Sequence, residues 1–459
     1  VGSEMCIRDS IKVAQLSGYV SEHSAYHHGE ASLAMTIVNL AQDFVGSNNV
    51  NLLVPSGQFG TRLQGGKDHA SPRYIFTRLH EVCRAMFPEC DDALLNYLDE
   101  DGQRIEPDYY YPVLPLVLVN GAEGIGTGWS TSIPNFNPRD LISNIRLMLE
   151  GESPVMMHPW YRNFNGTITE ELVKGETRYS VTGAYNIRDE CTLEITELPL
   201  RSWTSDYKEF LEDMLTPKTK NAKPFITDYK EYHTDSTVHF VITMPPENLA
   251  AAQASGLEKK FKLSTKLNIT NMHLFNQDGV ITKYSSPLKI LEAFVPLRLN
   301  VYSQRRDMLI RLAESQLKRL SNKMRFILAV VDGSLVVNRK KKQELIEELD
   351  ALCYDRLPKT DKGSLAEVDE DGELISAEVA GASYDYLLGM PLWNLTLEKV
   401  DELCAEKEAK EAEVAALHET TEKDLWMKDL DTLEQALELL EEEDEEARRV
   451  PVSYTHLTL

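Results

Sequence analysis

Two long amphipathic patterns dominate the second half of the chain. From residue 297 to 332, apolar side chains recur every three or four positions until Gly333. A second pattern of this kind follows Thr396 and carries leucines as far as Leu440. Residues at this spacing line one face of a helix. Two such helices on either side of a smaller helical unit predict a long antiparallel coiled coil with a small domain at its tip.

The first half of the chain has a different composition, and we expect it to form separate domains. Residues 11–105 have mostly helical spacing, interrupted by a glycine-punctuated loop between Gly57 and Gly66. Residues 106–295 mix strand candidates at 191–195 and 237–243 with a helix candidate at 206–215. The run 112–120 is apolar and β-prone, so it is predicted as a strand. The fold class that follows is multidomain α+β, with the coiled-coil region over 296–446.

The net charge of −25 argues against a nucleic-acid partner only if the charge is evenly spread. It is not, because residues 401–450 hold 19 acidic and 6 basic side chains. Residues 61–84 instead hold five basic and two acidic side chains, so this region is locally positive. Nucleic-acid binding depends on the local potential. The acidic run 441–446 is predicted to be a solvated tail, and 359–381 a flexible acidic insert.

The cysteines and the hydropathy exclude several other classes of protein. Six cysteines are scattered without a Cys-x-x-Cys pair, which disfavours a zinc site or a disulfide framework and favours a reducing compartment. No apolar run approaches the ~20 residues that a membrane helix needs. No signal peptide is readable, so we expect no membrane partner.

The two ends of the chain are predicted to be artefacts of sequencing. Met5–Asp9 can be encoded by codons whose reverse complement encodes Val-Ser-Tyr-Thr-His, which is the sequence of Val452–His456. One short DNA element read in opposite orientations explains both ends, and it resembles a transposon-end adapter. We therefore leave residues 1–10 and 451–459 out of the fold prediction, and we expect the natural protein to continue beyond both.

The segment from Gly57 to Tyr74 is the most informative in the chain. Its glycines let the backbone approach a ligand closely, and the cations of Arg62, Lys67 and Arg73 favour a phosphate. Ser71 adds a hydroxyl, and Tyr74 is predicted to open a helix. A tyrosine beside an arginine has the chemistry for covalent attack on a phosphodiester. By spacing alone, a tyrosine that follows an arginine is most often an ordinary surface or core residue.

Two further blocks carry candidate chemistry. His27 and His28 lie in Tyr-His-His-Gly-Glu, where a histidine pair is commonly structural, and a zinc site with His23 is disfavoured because cysteine or acid ligands are missing nearby. Ile125 lies among Gly124, Gly126 and Gly128. The glycine spacing differs from that of a dinucleotide fingerprint, and no clear helix follows. On its own, Ile125 is best explained as a packed residue in a tight turn.

Together these blocks resemble the DNA-cleavage region of eukaryotic-type (type IIA) DNA topoisomerase II. The resemblance covers about residues 11–446. Its motifs are Ser-Pro-Arg-Tyr ending at Tyr74, Tyr-His-His-Gly-Glu, Asn-Gly-Ala-Glu-Gly-Ile-Gly-Thr-Gly-Trp ending at Trp129, Pro-Leu-Arg-Ser-Trp ending at Trp203, Ile226–His233, Tyr384–Trp393 and Asp424–Trp426. It implies a truncated winged-helix (CAP-like) domain over 11–105, a mixed α/β tower domain over 106–295, and a coiled coil with a helical dimerisation gate (C-gate) over 296–446.

The resemblance also implies roles for single residues. Tyr74 is the expected nucleophile, Arg73 its phosphate ligand and His28 a contact of the scissile phosphate or of the proton acceptor, while Ile125 is the expected wedge between base pairs. The other expected DNA contacts are His27, Asn48, Asn49, Gln58, Arg62, Lys67 and Ser71.

The implied partners are double-stranded DNA and a second copy of the chain, joined through the C-gate. Mg²⁺ and ATP are implied for the full-length enzyme, with both sites outside this chain, so we expect the chain alone to be inactive. The implied location is the nucleus, or a viral factory if the source is a large DNA virus.

Three alternatives stay open at this stage. The first is a catalytically silent DNA-binding and dimerisation module of the same fold. The second is the bacterial gyrase-type homologue, a separate chain of a heterotetramer, which the adjacent histidines disfavour because bacterial relatives have a proline between them. The third is a coiled-coil scaffold unrelated to DNA, which explains only residues 297–446.

Overall fold

The computed structural model describes residues 10–100, 102–173, 176–217, 223–337, 340–357, 383–391 and 396–449. The predicted insert 359–381, the terminal residues 1–9 and 451–459, and Trp393 of the gate motif lie outside the described residues. Within the described ranges the fold is a mixture of helices and antiparallel sheets, which confirms the multidomain α+β class.

The described residues from 10 to 107 form a helical unit closed by short antiparallel strand pairs. In chain order the elements are β1 (Ile11–Lys12), α1 (Val13–His23), α2 (Glu30–Ala41), β2 (Phe76–Thr77), α3 (Glu81–Met86), a 3₁₀ helix (Glu89–Leu94), β3 (Tyr97–Glu100) and β4 (Gln103–Pro107). Apolar residues of α1 and α2 pack with Phe59 and Ile75 in one buried cluster. That cluster fixes the loop between α2 and β2 onto the two helices.

The middle region is built from antiparallel sheets and connecting helices. Its elements are α4 (Leu116–Val119), β5 (Ala122–Ile125), β6 (Ser130–Ile133), α5 (Pro138–Glu150), β7 (Thr167–Val173), β8 (Glu176–Thr182), β9 (Tyr185–Ile187), β10 (Thr192–Ile195), α6 (Thr204–Leu215), β11 (Asp228–Glu231), β12 (Phe240–Thr243), α7 (Pro246–Ser255), α8 (Leu257–Lys260), β13 (Ser264–Asn268), β14 (Met272–Phe275) and β15 (Ile281–Tyr284). A four-stranded sheet has the order β11-β12-β10-β9, and a three-stranded sheet has the order β13-β8-β7. The predicted strands near 191–195 and 237–243 and the helix near 206–215 are confirmed.

The last region contains the long helices that the amphipathic patterns predict. They are α9 (Pro287–Val331), α10 (Lys342–Ala351), α11 (Asp385–Leu388), α12 (Leu397–Glu419) and α13 (Glu422–Arg449). The helices α9 and α12 run antiparallel, since Ile327 packs with Val400 and Leu403 while Glu314, earlier in α9, lies 3.5 Å from His418. The helix α9 begins at Pro287, nine residues before the predicted start of the coiled coil.

The second long pattern is two helices rather than one. Thr420 and Thr421 separate α12 from α13. The backbone N–H and the hydroxyl of Thr421 both donate to a carboxylate oxygen of Asp424, at 2.9 and 2.6 Å. The backbone N–H of Asp424 donates back to that hydroxyl at 3.2 Å. This reciprocal cap satisfies N–H groups that a new helix leaves open, and so it starts α13. The helix α13 then leaves α12 and packs against α3, α5 and the first part of α9.

Three sequence predictions about elements were wrong. Residues 112–120 are not a strand, because Pro112 and Pro115 cannot donate ladder hydrogen bonds and only the short helix α4 forms. Tyr74 does not open a helix, since the chain runs from a turn into β2 and α3 begins only at Glu81. The acidic run 441–446 is not a solvated tail, because it continues α13 and its carboxylates meet arginines.

Candidate active site

Tyr74 is displayed by a turn whose next residue is anchored in the core. The backbone N–H of Tyr74 donates to the carbonyl of Ser71 at 2.9 Å, and Ile75 is 1% exposed. Phe76 exchanges backbone hydrogen bonds with Ser56 at 3.0 and 3.1 Å. Tyr74 is 71% exposed, so its phenol points to solvent while the backbone on both sides of it is held. An aromatic side chain this open adds little to packing and is free to meet a ligand.

Arg73 stands beside the phenol. Its guanidinium lies 5.5 Å from the centre of the Tyr74 ring, and its Nε donates to the Ser71 hydroxyl at 3.3 Å. Both contacts leave most of the guanidinium donors free to bind an anion. A cation at this position suits a phosphate group that approaches the phenol, because it neutralises charge on the phosphoryl oxygens.

The two predicted histidines lie at the start of α2, which shares its core with Ile75. Gly29 caps this helix with φ of 87°, a conformation that glycine adopts without strain. The His28 ring packs edge-on against Tyr26 at 5.5 Å, and His27 Nε2 lies 3.4 Å from a carboxylate oxygen of Glu100. Both histidines are exposed. No hydrogen bond joins His28 to the Tyr74 phenol among the described residues.

The glycine-rich loop between Phe59 and Ala70 is tightly folded. A Cβ atom on Gly60 would lie 2.5 Å from the Cα atom of Gly66. The two halves of the loop therefore meet at glycines, where neither has a side chain. Asp68 accepts the backbone N–H of Thr61 at 2.9 Å and lies 3.4 Å from the Gln58 amide. Gln58 and Lys67 are exposed on this loop and Ser71 is half-buried, so all three are accessible to a ligand.

The structure corrects the predicted roles of two polar residues. Arg62 is 4% exposed and pairs with the buried carboxylate of Glu197. Asn49 is 3% exposed, and its amide donates to the carbonyls of Phe136 and Trp160 at 3.1 and 3.0 Å. Side chains whose polar groups are used inside the protein are not available to DNA, so both predicted DNA contacts were wrong.

Asn48 also has a structural use. Its amide donates to the carbonyls of Asn39 and Gln42 at 2.7 and 2.9 Å, which closes the turn after α2. The side chain is half-buried, so a part of it still reaches the surface. Its predicted contact with DNA stays a prediction.

Ile125 lies at the end of a β-hairpin and is 93% exposed. The strands β5 and β6 pair from Ala122 to Ile125, and Gly126 donates to the carbonyl of Trp129 at 2.8 Å across the turn. At this exposure the side chain makes almost no contact with the rest of the fold, so Ile125 is not a packed turn residue. A strand follows the glycines where a dinucleotide site requires a helix.

The Pro-Leu-Arg-Ser-Trp motif braces the loop and the hairpin. A Cβ on Gly65 would lie 2.3 Å from the Trp203 ring, which explains why the loop has glycine there. Arg201, with φ of 63°, forms an ion pair of 2.6 Å with Glu123 on β5. The motif therefore contacts both the loop that precedes Tyr74 and the hairpin that carries Ile125.

The comparisons with known proteins decide the family. The family model that describes the A subunits of DNA gyrase and topoisomerase IV matches residues 3–431. DNA topoisomerase 2 of Arabidopsis thaliana is 49% identical to this chain over 458 residues, covering 96% of the chain and 31% of the relative. The chain belongs to the type IIA DNA topoisomerase family.

Other topoisomerases give the same result. DNA topoisomerase 2-alpha of Gallus gallus is 50% identical, covering 94% of this chain and 28% of the relative. The solved DNA-binding, cleavage and re-ligation domain of Plasmodium falciparum topoisomerase II superposes with a TM-score of 0.85 at 46% identity, covering 96% of this chain and 60% of that one. These relatives are eukaryotic, which confirms the eukaryotic-type resemblance. The chain spans less than a third of the length of the curated topoisomerases it matches.

No group of three or more His, Cys, Asp or Glu side chains in the described ranges is arranged to hold a metal ion. None of the helices in that part of the chain is long and apolar enough to cross a membrane.

Proposed function

We propose that this chain supplies the tyrosine half of a topoisomerase II cleavage site, with Tyr74 as the nucleophile. The observation that carries the proposal is the pairing of a 71% exposed phenol with an adjacent arginine on an anchored turn. Arg73 and Tyr74 also end the Ser-Pro-Arg-Tyr segment, which resembles the active-site motif of the family.

The chemistry proposed for Tyr74 is a reversible transesterification. The phenol loses its proton and its oxygen attacks phosphorus, while the bond from phosphorus to the 3′ oxygen breaks and that oxygen takes up a proton. A 5′-phosphotyrosyl bond replaces the phosphodiester, so the free 3′ hydroxyl can reverse the step. Arg73 stabilises the charge on the phosphoryl oxygens, and His28 orients the phosphate or the group that accepts the phenolic proton.

The proposed DNA surface consists of accessible side chains only. His27, Gln58, Lys67 and Ser71 contact the backbone near Tyr74, and Ile125 enters between base pairs as an apolar wedge. Asn48 contributes with the part of its side chain that is at the surface. Arg62 and Asn49 hold the scaffold.

The complete enzyme needs groups that the described residues do not supply. Mg²⁺ would neutralise the scissile phosphate, and the described residues contain no group of three or more His, Cys, Asp or Glu side chains that could hold a metal ion. We propose that Mg²⁺ and ATP bind to parts of the full-length enzyme outside this chain. We propose that two chains meet through the helical gate, that their two tyrosines cut opposite strands, and that a second duplex passes through the break. The eukaryotic relatives support a nuclear location.

The test joins residues 11–449 to the upstream metal-binding segment of a related enzyme. The fusion is incubated with supercoiled DNA and Mg²⁺ and then denatured, and covalent protein–DNA adducts are counted. We expect adducts that disappear in Tyr74→Phe and persist in Tyr109→Phe, a control at another exposed tyrosine (63%). A folded, dimeric, DNA-bound fusion without adducts would contradict cleavage and favour a silent DNA-binding module of the same fold.

A further inference from the structure

The acidic end of α13 lies against the scaffold that presents Tyr74. Residues 441–446 are all acidic, and six adjacent carboxylates repel one another unless cations compensate them. Arg139 meets Glu441 at 2.9 Å, and Arg162 meets Asp444 at 2.5 Å. The run therefore has specific partners on the body of the protein.

The tightest of these contacts joins Asp444 to Arg162. Nε of Arg162 donates to Oδ2 of Asp444 at 2.6 Å, and Nη2 donates to Oδ1 at 2.5 Å. The amide of Asn163 adds a third hydrogen bond to Oδ2 at 3.1 Å. The Arg162 side chain is 10% exposed and the Asp444 side chain 20%. A bidentate ion pair with this little exposure is much stronger than an ion pair on the surface.

Arg162 also binds the segment that follows α2. Its third nitrogen, Nη1, donates to the side-chain oxygen of Asn51 at 2.9 Å, and its backbone N–H donates to that of Asn49 at 2.9 Å. Asn49 and Asn51 are each 3% exposed. One guanidinium thus ties the end of α13 to the segment 49–51, with every nitrogen of the group bonded in the protein interior.

The segment after Asn51 is the strand partner of the residues that follow Tyr74. His80 donates its backbone N–H to Leu52, Val54 donates to Arg78, and Ser56 pairs with Phe76, at distances of 2.9–3.1 Å. Phe76 lies two residues from Tyr74. Segment 49–51 leads directly into this ladder, so backbone hydrogen bonds couple its position to that of the turn that displays the phenol.

A second acid on α13 touches the other strand of this ladder. A carboxylate oxygen of Glu443 lies 3.8 Å from Nε2 of His80. Glu443 therefore contacts one strand directly, while Asp444, at the same helix end, is joined through Arg162 to the segment that leads into the other. Tyr302 and Arg305 of α9 both bind Asp429 of α13, at 2.7 and 2.6 Å, so α13 is also tied to the coiled coil.

We propose that Asp444 is a positioning residue for the cleavage tyrosine. It acts through Arg162 and Asn51 on the strand pair 52–56 and 76–80, and it links the returning gate helix to the geometry of Tyr74. The inference rests on the proposed function for its effect on cleavage. The hold of Asp444 on the strand pair follows from the contacts alone.

Hydrogen exchange on the full chain tests whether Asp444 holds the strand pair in place. In Asp444→Asn, we expect the amides of Val54, Ser56, Phe76 and His80 to exchange about tenfold faster, because one charge-assisted pair no longer holds the segment. Glu442→Gln removes the same charge from an exposed neighbour that has no partner among the described residues, and we expect it to change nothing. Asp444→Glu keeps a carboxylate and should restore most of the protection.

Two outcomes would overturn the proposal. One is equal exchange of these amides in Asp444→Asn and Glu442→Gln. The other is faster exchange that extends equally to the distant β10–β12 sheet, since Asp444 would then support the whole fold and not the site.

Cleavage by the fusion with the metal-binding segment tests the effect of Asp444 on function. We expect Asp444→Asn to lower the covalent adduct several-fold at saturating DNA, with DNA affinity unchanged and with recovery in Asp444→Glu. A fall in affinity that accounts for the whole loss would contradict positioning. Absence of adduct in the unmodified fusion would count against the proposed function. Hydrogen exchange would still decide whether Asp444 holds the strand pair.

Discussion

At the scale of single residues, accessibility separates the side chains that fit a ligand from those that hold the scaffold. Arg62 and Lys67 are both cations of the loop before Tyr74, and the sequence offers no means of telling their roles apart. In the folded chain Arg62 is buried against Glu197, whereas Lys67 is exposed. The partner that decides this lies 135 positions further along the chain, so local composition could not reveal it.

Replacement of Arg62 is expected to damage the fold before it affects any ligand. In Arg62→Ala the Glu197 carboxylate, with 2% of its side chain exposed, would lose its cation. Removing one partner of a buried ion pair costs about 3–5 kcal/mol. Urea unfolding monitored by circular dichroism measures this loss, and Lys67→Ala should leave the midpoint nearly unchanged. Equal midpoints for the two variants would contradict the structural role of Arg62.

Ile125 supports the opposite prediction, because we propose that its side chain contacts DNA, and its exposure leaves it little to contribute to the fold. At 93% exposure, Ile125→Ala should change the free energy of unfolding by no more than about 0.5 kcal/mol. We expect the same substitution to reduce the bend of a bound duplex, measured by energy transfer between dyes at its two ends. Leu172→Ala, on β7 and 76% exposed, is the matched control. A bend that is unchanged in Ile125→Ala would rule out the wedge.

At the scale of elements, periodicity predicted the long helices well and the short irregular segments poorly. The spacing of apolar residues predicted the helical stretches that form α9, α12 and α13, because a long amphipathic face can be buried in few other ways. It failed at 112–120, where prolines override β propensity, and at Tyr74, where a turn and a two-residue strand replace the predicted helix. Short elements take their form from tertiary partners, here Ser56 across from Phe76.

The start of α3 gives a prediction about pH. The Nδ1 atom of His80 accepts the backbone N–H of Val82 at 3.2 Å, which requires an unprotonated nitrogen. Burial lowers the pKa of His80 below its ordinary value of 6.5, and nearby arginines lower it further. The charged groups around the ring are Arg162, Arg78, Glu81, Asp444 and Glu443.

Because the folded pKa is depressed, neutral His80 stabilises the fold above pH 6.5 and this contribution is lost as the pH falls toward the folded value. We expect thermal unfolding scans from pH 8 to pH 5 to show a smaller loss of stability in His80→Asn, which keeps a capping side chain but does not titrate. Identical pH profiles for the two proteins would show that His80 does not contribute.

At the scale of the whole molecule, one core joins parts that the sequence presents as separate domains. Trp426 of α13 is fully buried, stacks on Tyr302 of α9 and donates to the carbonyl of Val113 at 3.2 Å. Beside it Asp91 accepts Arg298 at 2.7 Å and Arg305 at 2.6 Å. The motifs of the sequence give the order of the regions. They do not give these contacts, because each contact joins residues far apart in the chain.

The buried charge cluster predicts that the regions unfold together. Asp91→Asn leaves Arg298 and Arg305 without their shared carboxylate, which we expect to cost about 3–5 kcal/mol. Urea unfolding followed by tryptophan fluorescence and by circular dichroism should show both signals shifting by the same amount. The neighbouring variant Asp92→Asn is the control, with a smaller shift since Asp92 pairs with Arg84 nearer the surface. A shift in one signal alone would contradict a common core.

The proposed cleavage chemistry depends on one atom, the phenolic oxygen of Tyr74. The most direct measurement traps the adduct on the fusion protein, trims the DNA with nuclease, digests the protein and locates the remaining nucleotide by mass spectrometry. The proposed role of Tyr74 predicts a nucleotide joined through its 5′ phosphate to Tyr74, in a peptide that contains Ser71 and Arg73. A nucleotide on another residue, or a 3′ linkage, would contradict it.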